Sequence, residues 1–120
     1  MSIYYILKDK TPIQVERTEW VNSFSEDRHV RIDEFGSILV STVFLGLDHN
    51  YEGKGEPLLF ETMIFGGKHD QYQTRCSTWD EAVIQHEEAC KLVRNKFMSW
   101  IRKIMNLQVE KYMGLKEMVM

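Results

Sequence analysis

The sequence predicts an α+β fold: an antiparallel sheet of four to five strands, one long C-terminal helix packed on one face, and a short N-terminal helix. Three observations carry this. Between Ile3 and Cys76 apolar residues either alternate with polar ones or gather in short β-branched and aromatic runs, as strands require. From Trp79 onward they recur instead at three- and four-residue steps through Ala82, His86, Ala89, Cys90, Val93, Phe97, Trp100, Ile101 and Ile104, the period of one helical face. At 120 residues a chain can bury roughly two-thirds of its unfolded surface, so a core without disulfide or metal staples suffices.

Element by element, Ile3 to Lys8 reads as a first strand, and DKTP turns the chain with Pro12 as breaker. Thr18 is placed to cap a short helix that shows Trp20, Val21 and Phe24 on one face. RHVRID alternates, sending Arg28, Val30 and Ile32 one way and His29, Arg31 and Asp33 the other, which suits an edge strand. Ser37 to Leu47 and Leu58 to Gly66 read as the central strands, joined by the loop DHNYEGKGEP. DQYQTRC is expected to add a strand with Tyr72, Thr74 and Cys76 on one face. Thr78 and Glu81 then form the T-x-x-E capping box that opens the main helix. One domain is expected over residues 1–105, followed by a Met-rich tail, 106–120, with an interruption at Gly114.

A net charge of −3 argues against indiscriminate coating of nucleic acid. The start, MSIYYILKDK, has neither a basic n-region nor an apolar h-region, and no apolar run is long enough for a bilayer. No membrane association is expected. The two cysteines, Cys76 and Cys90, read as free thiols of a reducing cytosol. No cofactor motif occurs, and none is implied.

VSTVFLGLDH (Val40 to His49), PLLFETMIFGG (Pro57 to Gly67) and STWDEA (Ser77 to Ala82) together resemble a family of small, uncharacterised phage and prophage proteins. Their shared pattern is close to VSTVFLGLDH…PLLFETMVFGG…Y-x-T-W-x-E-A…H. The likeness covers roughly Tyr4 to Val93. It departs at Cys76, where an aromatic is usual, and at Gln85, where a small residue often precedes the histidine. The resemblance implies a protein of the bacterial host's cytoplasm and brings no catalytic or binding residue with it.

Glu61 lies inside an otherwise apolar strand. Closing the hairpin at Leu47 and Leu58 would set it opposite Phe44 on the face away from the long helix. There it would pair with Arg28, Arg31 or Arg75, or act as a base or ligand if desolvated. Asp48 and His49, with His69, Asp70, His86 and Glu61, offer oxygen and nitrogen ligands of the types zinc or manganese accept, but no H-x-x-x-H, H-E-x-x-H or C-x-x-C spacing accompanies them. Asp48 also suits an Asx-turn, and His86 on the apolar stripe suits a satisfied core position. No G-x-S-x-G or P-loop spacing is present.

The stretch KLVRNKFMSWIRK, Lys91 to Lys103, holds five basic residues and no acidic one. Lys91, Arg94 and Arg102 could follow phosphates with Trp100 stacking. Alternatively Phe97, Trp100, Ile101 and Ile104 flanked by cations form a protein interface. The expectation is a non-enzymatic accessory protein that binds a host or phage protein, for instance to block a bacterial defence system such as a CRISPR effector. Its partner-binding residues would be Asp48, His49, Tyr51 and Lys54 of the loop with Lys91, Arg94, Phe97, Trp100 and Arg102 of the helix. The alternatives are a nucleic-acid-binding module using the basic half-helix, with nucleic acid also admissible as part of a complex, and a metal-dependent enzyme at Asp48, His49 and Glu61. A homodimer through the exposed half-helix and tail is compatible with the pattern.

Overall fold

The computed structural model describes residues 3–119, apart from the side chains of residues 96–99 and 107–119. The order of elements is β1 (Tyr4–Lys8), β2 (Thr11–Val15), α1 (Arg17–Asn22), β3 (His29–Phe35), β4 (Ile38–Phe44), β5 (Phe60–Phe65), β6 (Gln73–Cys76) and α2 (Trp79–Val119). The fold is α+β, but the strands divide between two antiparallel sheets: a ribbon, β1-β2, and a four-stranded sheet, β3-β4-β5-β6.

The separate ribbon follows from a two-residue turn. Asp9 and Lys10 both take positive φ, 49° and 71°, the backbone whose twist matches a tight hairpin. Pro12 therefore does not stop the chain; it lies in β2 opposite Leu7, on a ribbon edge where a missing N–H is tolerated. The other edge of β1 docks on the segment leaving β4. The Tyr5 amide donates to the Gly46 carbonyl at 2.9 Å, and the Asp48 amide donates to the Ile3 carbonyl at 3.0 Å. In α1, Thr18 lies inside the helix and Glu16 holds the N-cap position without a side-chain cap bond. Stacking positions this short helix instead: Trp20 lies 4.8 Å from Tyr4 and 4.4 Å from Phe24, ring centre to ring centre.

The register of the main sheet differs by one step from the expected one. Val43 faces Glu61 and Phe44 faces Phe60. The hairpin closes through Leu45 N–H to Leu59 O and His49 N–H to Leu58 O, and Gly46 to Asp48 bow out to meet β1. Because side chains alternate strictly, Val40, Thr42, Phe44, Phe60, Thr62 and Ile64 share the buried face. Glu61 shares the opposite face with Val43 and Met63. In β3 a shift between His29 and Arg31 breaks the expected alternation: Val30 and Asp33 both reach the helix side, while Ile32 is exposed. Such bulges re-aim side chains on edge strands.

α2 opens as expected, with the Glu81 amide donating to the Thr78 hydroxyl at 3.1 Å. It crosses the buried face of the sheet from one end to the other. Ala82 packs with Phe44, Leu59, Phe60 and Cys76, and further on Ala89, Cys90 and Val93 pack with Val40 and Ile64. Val93 is the last buried residue among those described. The helix then continues without a break at Asn106 or Gly114 to Val119, adding about 40 Å at ~1.5 Å per residue. The molecule is consequently 78 × 30 × 20 Å with a radius of gyration of 21.2 Å, where a compact chain of this size would have about 14 Å.

Candidate functional site

The residues with chemistry that the fold brings together lie under α2. His86 is fully buried. One ring nitrogen, Nδ1, is 2.7 Å from the Thr42 hydroxyl, which is itself 2.7 Å from the Thr62 hydroxyl. The other, Nε2, is 2.7 Å from Asp33 Oδ2. That same oxygen accepts from Arg31 Nε at 3.0 Å and from the Cys90 thiol at 3.7 Å. Arg31 also pairs with Glu87. Each member owes its place to an alternation already described: Thr42 and Thr62 to the β4–β5 register, Asp33 to the β3 bulge, and His86 and Cys90 to their four-residue spacing on one helical face.

The electrostatics follow from this geometry. The hydrogen bond from His86, reinforced by the Arg31 charge, holds the Asp33 carboxyl below the usual carboxylate range against the opposing effect of burial. Burial first, and then the Asp33 charge, push the Cys90 thiol up to about 11. Cys76 is likewise pushed up to about 11, by burial and then by Glu81. Both cysteines are free and buried, hence protonated and poorly nucleophilic at neutral pH. The row Asp33–His86–Thr42 has the order of a nucleophile-activating triad, yet Thr42 is 0% exposed. No substrate carbonyl can reach its hydroxyl. As arranged, the row is a satisfied polar core.

Sequence reasoning placed His86 correctly on the buried stripe but left out Asp33 and its link to Cys90. The spacing His86-x-x-x-Cys90 was the available signal, since it sets a nitrogen and a sulfur side by side on a helix.

The expected loop site takes a different form. Asp48 Oδ1 accepts from the amides of Asn50, at 2.8 Å, and Leu58, at 3.0 Å, so it ties the loop's two ends as an Asx-turn does. His49 Nδ1 is 2.9 Å from the Leu47 carbonyl, and its ring lies against Tyr51. His49, Tyr51 and Lys54 line an open cleft of about 430 Å³ together with Asn50, Glu52 and Leu58. Glu61 stands apart from Asp48 and His49: it accepts from Arg75 Nε at 2.9 Å and from Gln73 across the β5–β6 pair. Asp48, His49 and Glu61 therefore do not converge, and the metal grouping expected of them is corrected. Glu61 makes a cross-strand polar contact, and of Arg28, Arg31 and Arg75 its partner is Arg75.

The second expected patch, on α2, lies at the opposite end of the sheet from the loop, because α2 begins beside Phe44 and Phe60 and leaves beside Val40 and Ile64. Lys91, Arg94 and Arg102 are exposed. Arg94 rests 5.8 Å above the Phe35 ring. Trp100 is 59% exposed and Met105 58%. Phe97 has its side chain outside the described residues. The fold thus places the loop residues and the helix residues at opposite ends of the sheet.

No family model, curated protein or solved structure matches the chain. Among the described residues no helix is long and apolar enough to cross a membrane.

Proposed function

We propose that the chain is a non-enzymatic protein-binding module that presents the distal half of α2 to an acidic, partly apolar surface of a partner protein. One observation carries this reading: α2 outruns the sheet that supports it by about 40 Å at ~1.5 Å per residue, with no buried residue described beyond Val93. A helix without buried residues along it is marginal in water, and among the described residues beyond Val93 none is buried, so a partner's surface would add to the order of this half. Lys91 to Lys103 carries five basic residues and no acidic one, which selects an acidic complement and speeds encounter. The exposed faces of Trp100 and Met105 provide the apolar part, and aromatic side chains beside arginine are common centres of binding energy.

The resemblance to small phage and prophage proteins directs the search to partners inside a bacterial host. Components of a defence system, such as a CRISPR effector, are the first to test. The inaccessibility of Thr42 and the high pKa of both thiols favour binding over nucleophilic catalysis.

The test is capture from nuclease-treated host lysate with tagged wild-type chain and with a Trp100→Ala/Arg102→Glu variant of equal melting temperature. A single stoichiometric protein held by the wild type and lost by the variant supports the reading. Equal retention by the variant overturns it. Recovery of nuclease-sensitive material alone overturns it too and transfers the basic half-helix to nucleic acid.

A further inference from the structure

We propose that Asp33, His86 and Cys90 form a binding site for a thiophilic divalent cation of the zinc type, clamped between the edge strand β3 and α2. Asp33 Oδ2, His86 Nε2 and Cys90 Sγ all lie within 4.8 Å of one another. A tetrahedral ion with bonds of about 2.0–2.3 Å spaces such ligand atoms by roughly 3.3–3.7 Å. Cys90 Sγ is already 3.7 Å from Asp33 Oδ2; the His86–Asp33 separation of 2.7 Å opens, and the His86 Nε2–Cys90 Sγ separation, within 4.8 Å, adjusts to the same spacing as the ion enters. Oxygen, nitrogen and sulfur donors together fit zinc-type ions and disfavour magnesium or calcium.

The surroundings supply what a metal-bound histidine needs. Ligation through Nε2 requires that Nδ1 carry the proton and donate it to a fixed acceptor. Thr42 Oγ1 sits 2.7 Å from Nδ1 and can accept, because its own proton can turn to Thr62 Oγ1, also at 2.7 Å. With no metal the same hydroxyls reverse, Thr42 donating to Nδ1 while Nε2–H donates to Asp33. The threonine pair thus serves both tautomers without moving a heavy atom.

Charge also balances. Asp33 and Glu87 are anionic and Arg31 is cationic, a net charge of −1 while Cys90 is a thiol. Binding a dication with loss of the Cys90 proton to solvent forms the S–metal bond and brings the cluster to neutrality. Arg31 then keeps Glu87 as its partner as the ion takes the Asp33 oxygen. Entry is from the β3 edge, where the Asp33 side chain is 32% exposed and Arg31 41%, and solvent water completes the coordination.

The experiment uses the full chain, treated with chelator and titrated with Co²⁺, then with Zn²⁺. The expected result is one ion per chain, a thiolate-to-cobalt charge-transfer absorption that one equivalent of Zn²⁺ abolishes, and one proton released per ion. Cys90→Ser should lose the absorption and Asp33→Asn should weaken it. Thr42→Val should weaken affinity about 10–100-fold, and Cys76→Ser, at the other end of α2's contact with the sheet, should leave it unchanged. Circular dichroism confirms that each variant compared is folded. Absence of stoichiometric binding at micromolar metal overturns the proposal, as does absorption that survives in folded Cys90→Ser or follows Cys76 instead.

Discussion

Thr42→Val isolates the contribution of the polar row beneath α2. Valine nearly matches threonine in shape, so no cavity forms, and what is lost is one hydroxyl with contacts of 2.7 Å to His86 Nδ1 and 2.7 Å to Thr62 Oγ1. Each hydrogen bond contributes about 1 kcal/mol net, and a fully buried ring nitrogen left without a partner adds about 1–3 kcal/mol. After allowance for the gain of a buried methyl, the expected loss is about 2–4 kcal/mol. At roughly 4 °C per kcal/mol for a chain of this length, that lowers the melting temperature by about 8–16 °C. The assay is urea unfolding at pH 7, read as a lower midpoint at constant slope. Ser41→Ala, one residue away on the opposite face of β4, serves as the control with little change. In a Thr42→Val/Thr62→Val double variant the losses should be less than additive, because the hydroxyls bond to each other. A loss below about 0.5 kcal/mol, or full additivity, would refute the claim that these hydroxyls form one network with His86.

Asp33 makes stability depend on acid in a defined direction. Its folded-state pKa lies below the ordinary value because of His86 and then Arg31, so its stabilisation is complete above pH ~5 and disappears as pH falls through the folded value. Asp33→Asn should therefore flatten the pH dependence of the urea midpoint between about pH 5 and 3; an unchanged slope counts against it. Asp48→Ala removes the acceptor of two loop amides, those of Asn50 and Leu58. It should cost about 1–3 kcal/mol and selectively speed hydrogen exchange at these two amides, whereas protection that survives would mean that the loop holds itself without the carboxylate.

Glu61 shows how far linear pattern reaches. Its position inside an apolar strand and a short list of arginines were readable from the chain, and its placement on the outer face followed from alternation. Which arginine would pair with it depended on β6 lying beside β5 with Glu61 opposite Arg75. His86 shows the limit from the other side. Its burial was readable from the helical stripe, but its partners come from β3 and β4, more than forty residues earlier in the chain. One of them, Asp33, is aimed inward by a bulge that no alternation rule announces. Asp9 and Lys10 hid a hairpin for a similar reason: a tight turn without glycine or asparagine gives little local signal, and Pro12 looks like a breaker until β2 is known to be an edge.

The sequence by itself determined what short-range geometry controls. The α+β class, the helix start at Thr78 with its cap, the apolar stripe from Trp79 to Ile104 (whose burial as far as Val93 only the structure shows), and the common face of Thr74 and Cys76 all follow from side-chain periods of 3.6 and 2 within single segments. Only the tertiary structure decided the division into two sheets, the one-step register that buries Thr42 and Thr62, the cluster of Asp33, His86 and Cys90, and the separation of the Asp48 loop from the far half of α2. These depend on how distant segments close on one another, through a bowed Gly46 to Asp48 and a shifted β3, where one residue of offset exchanges one face of a strand for the other.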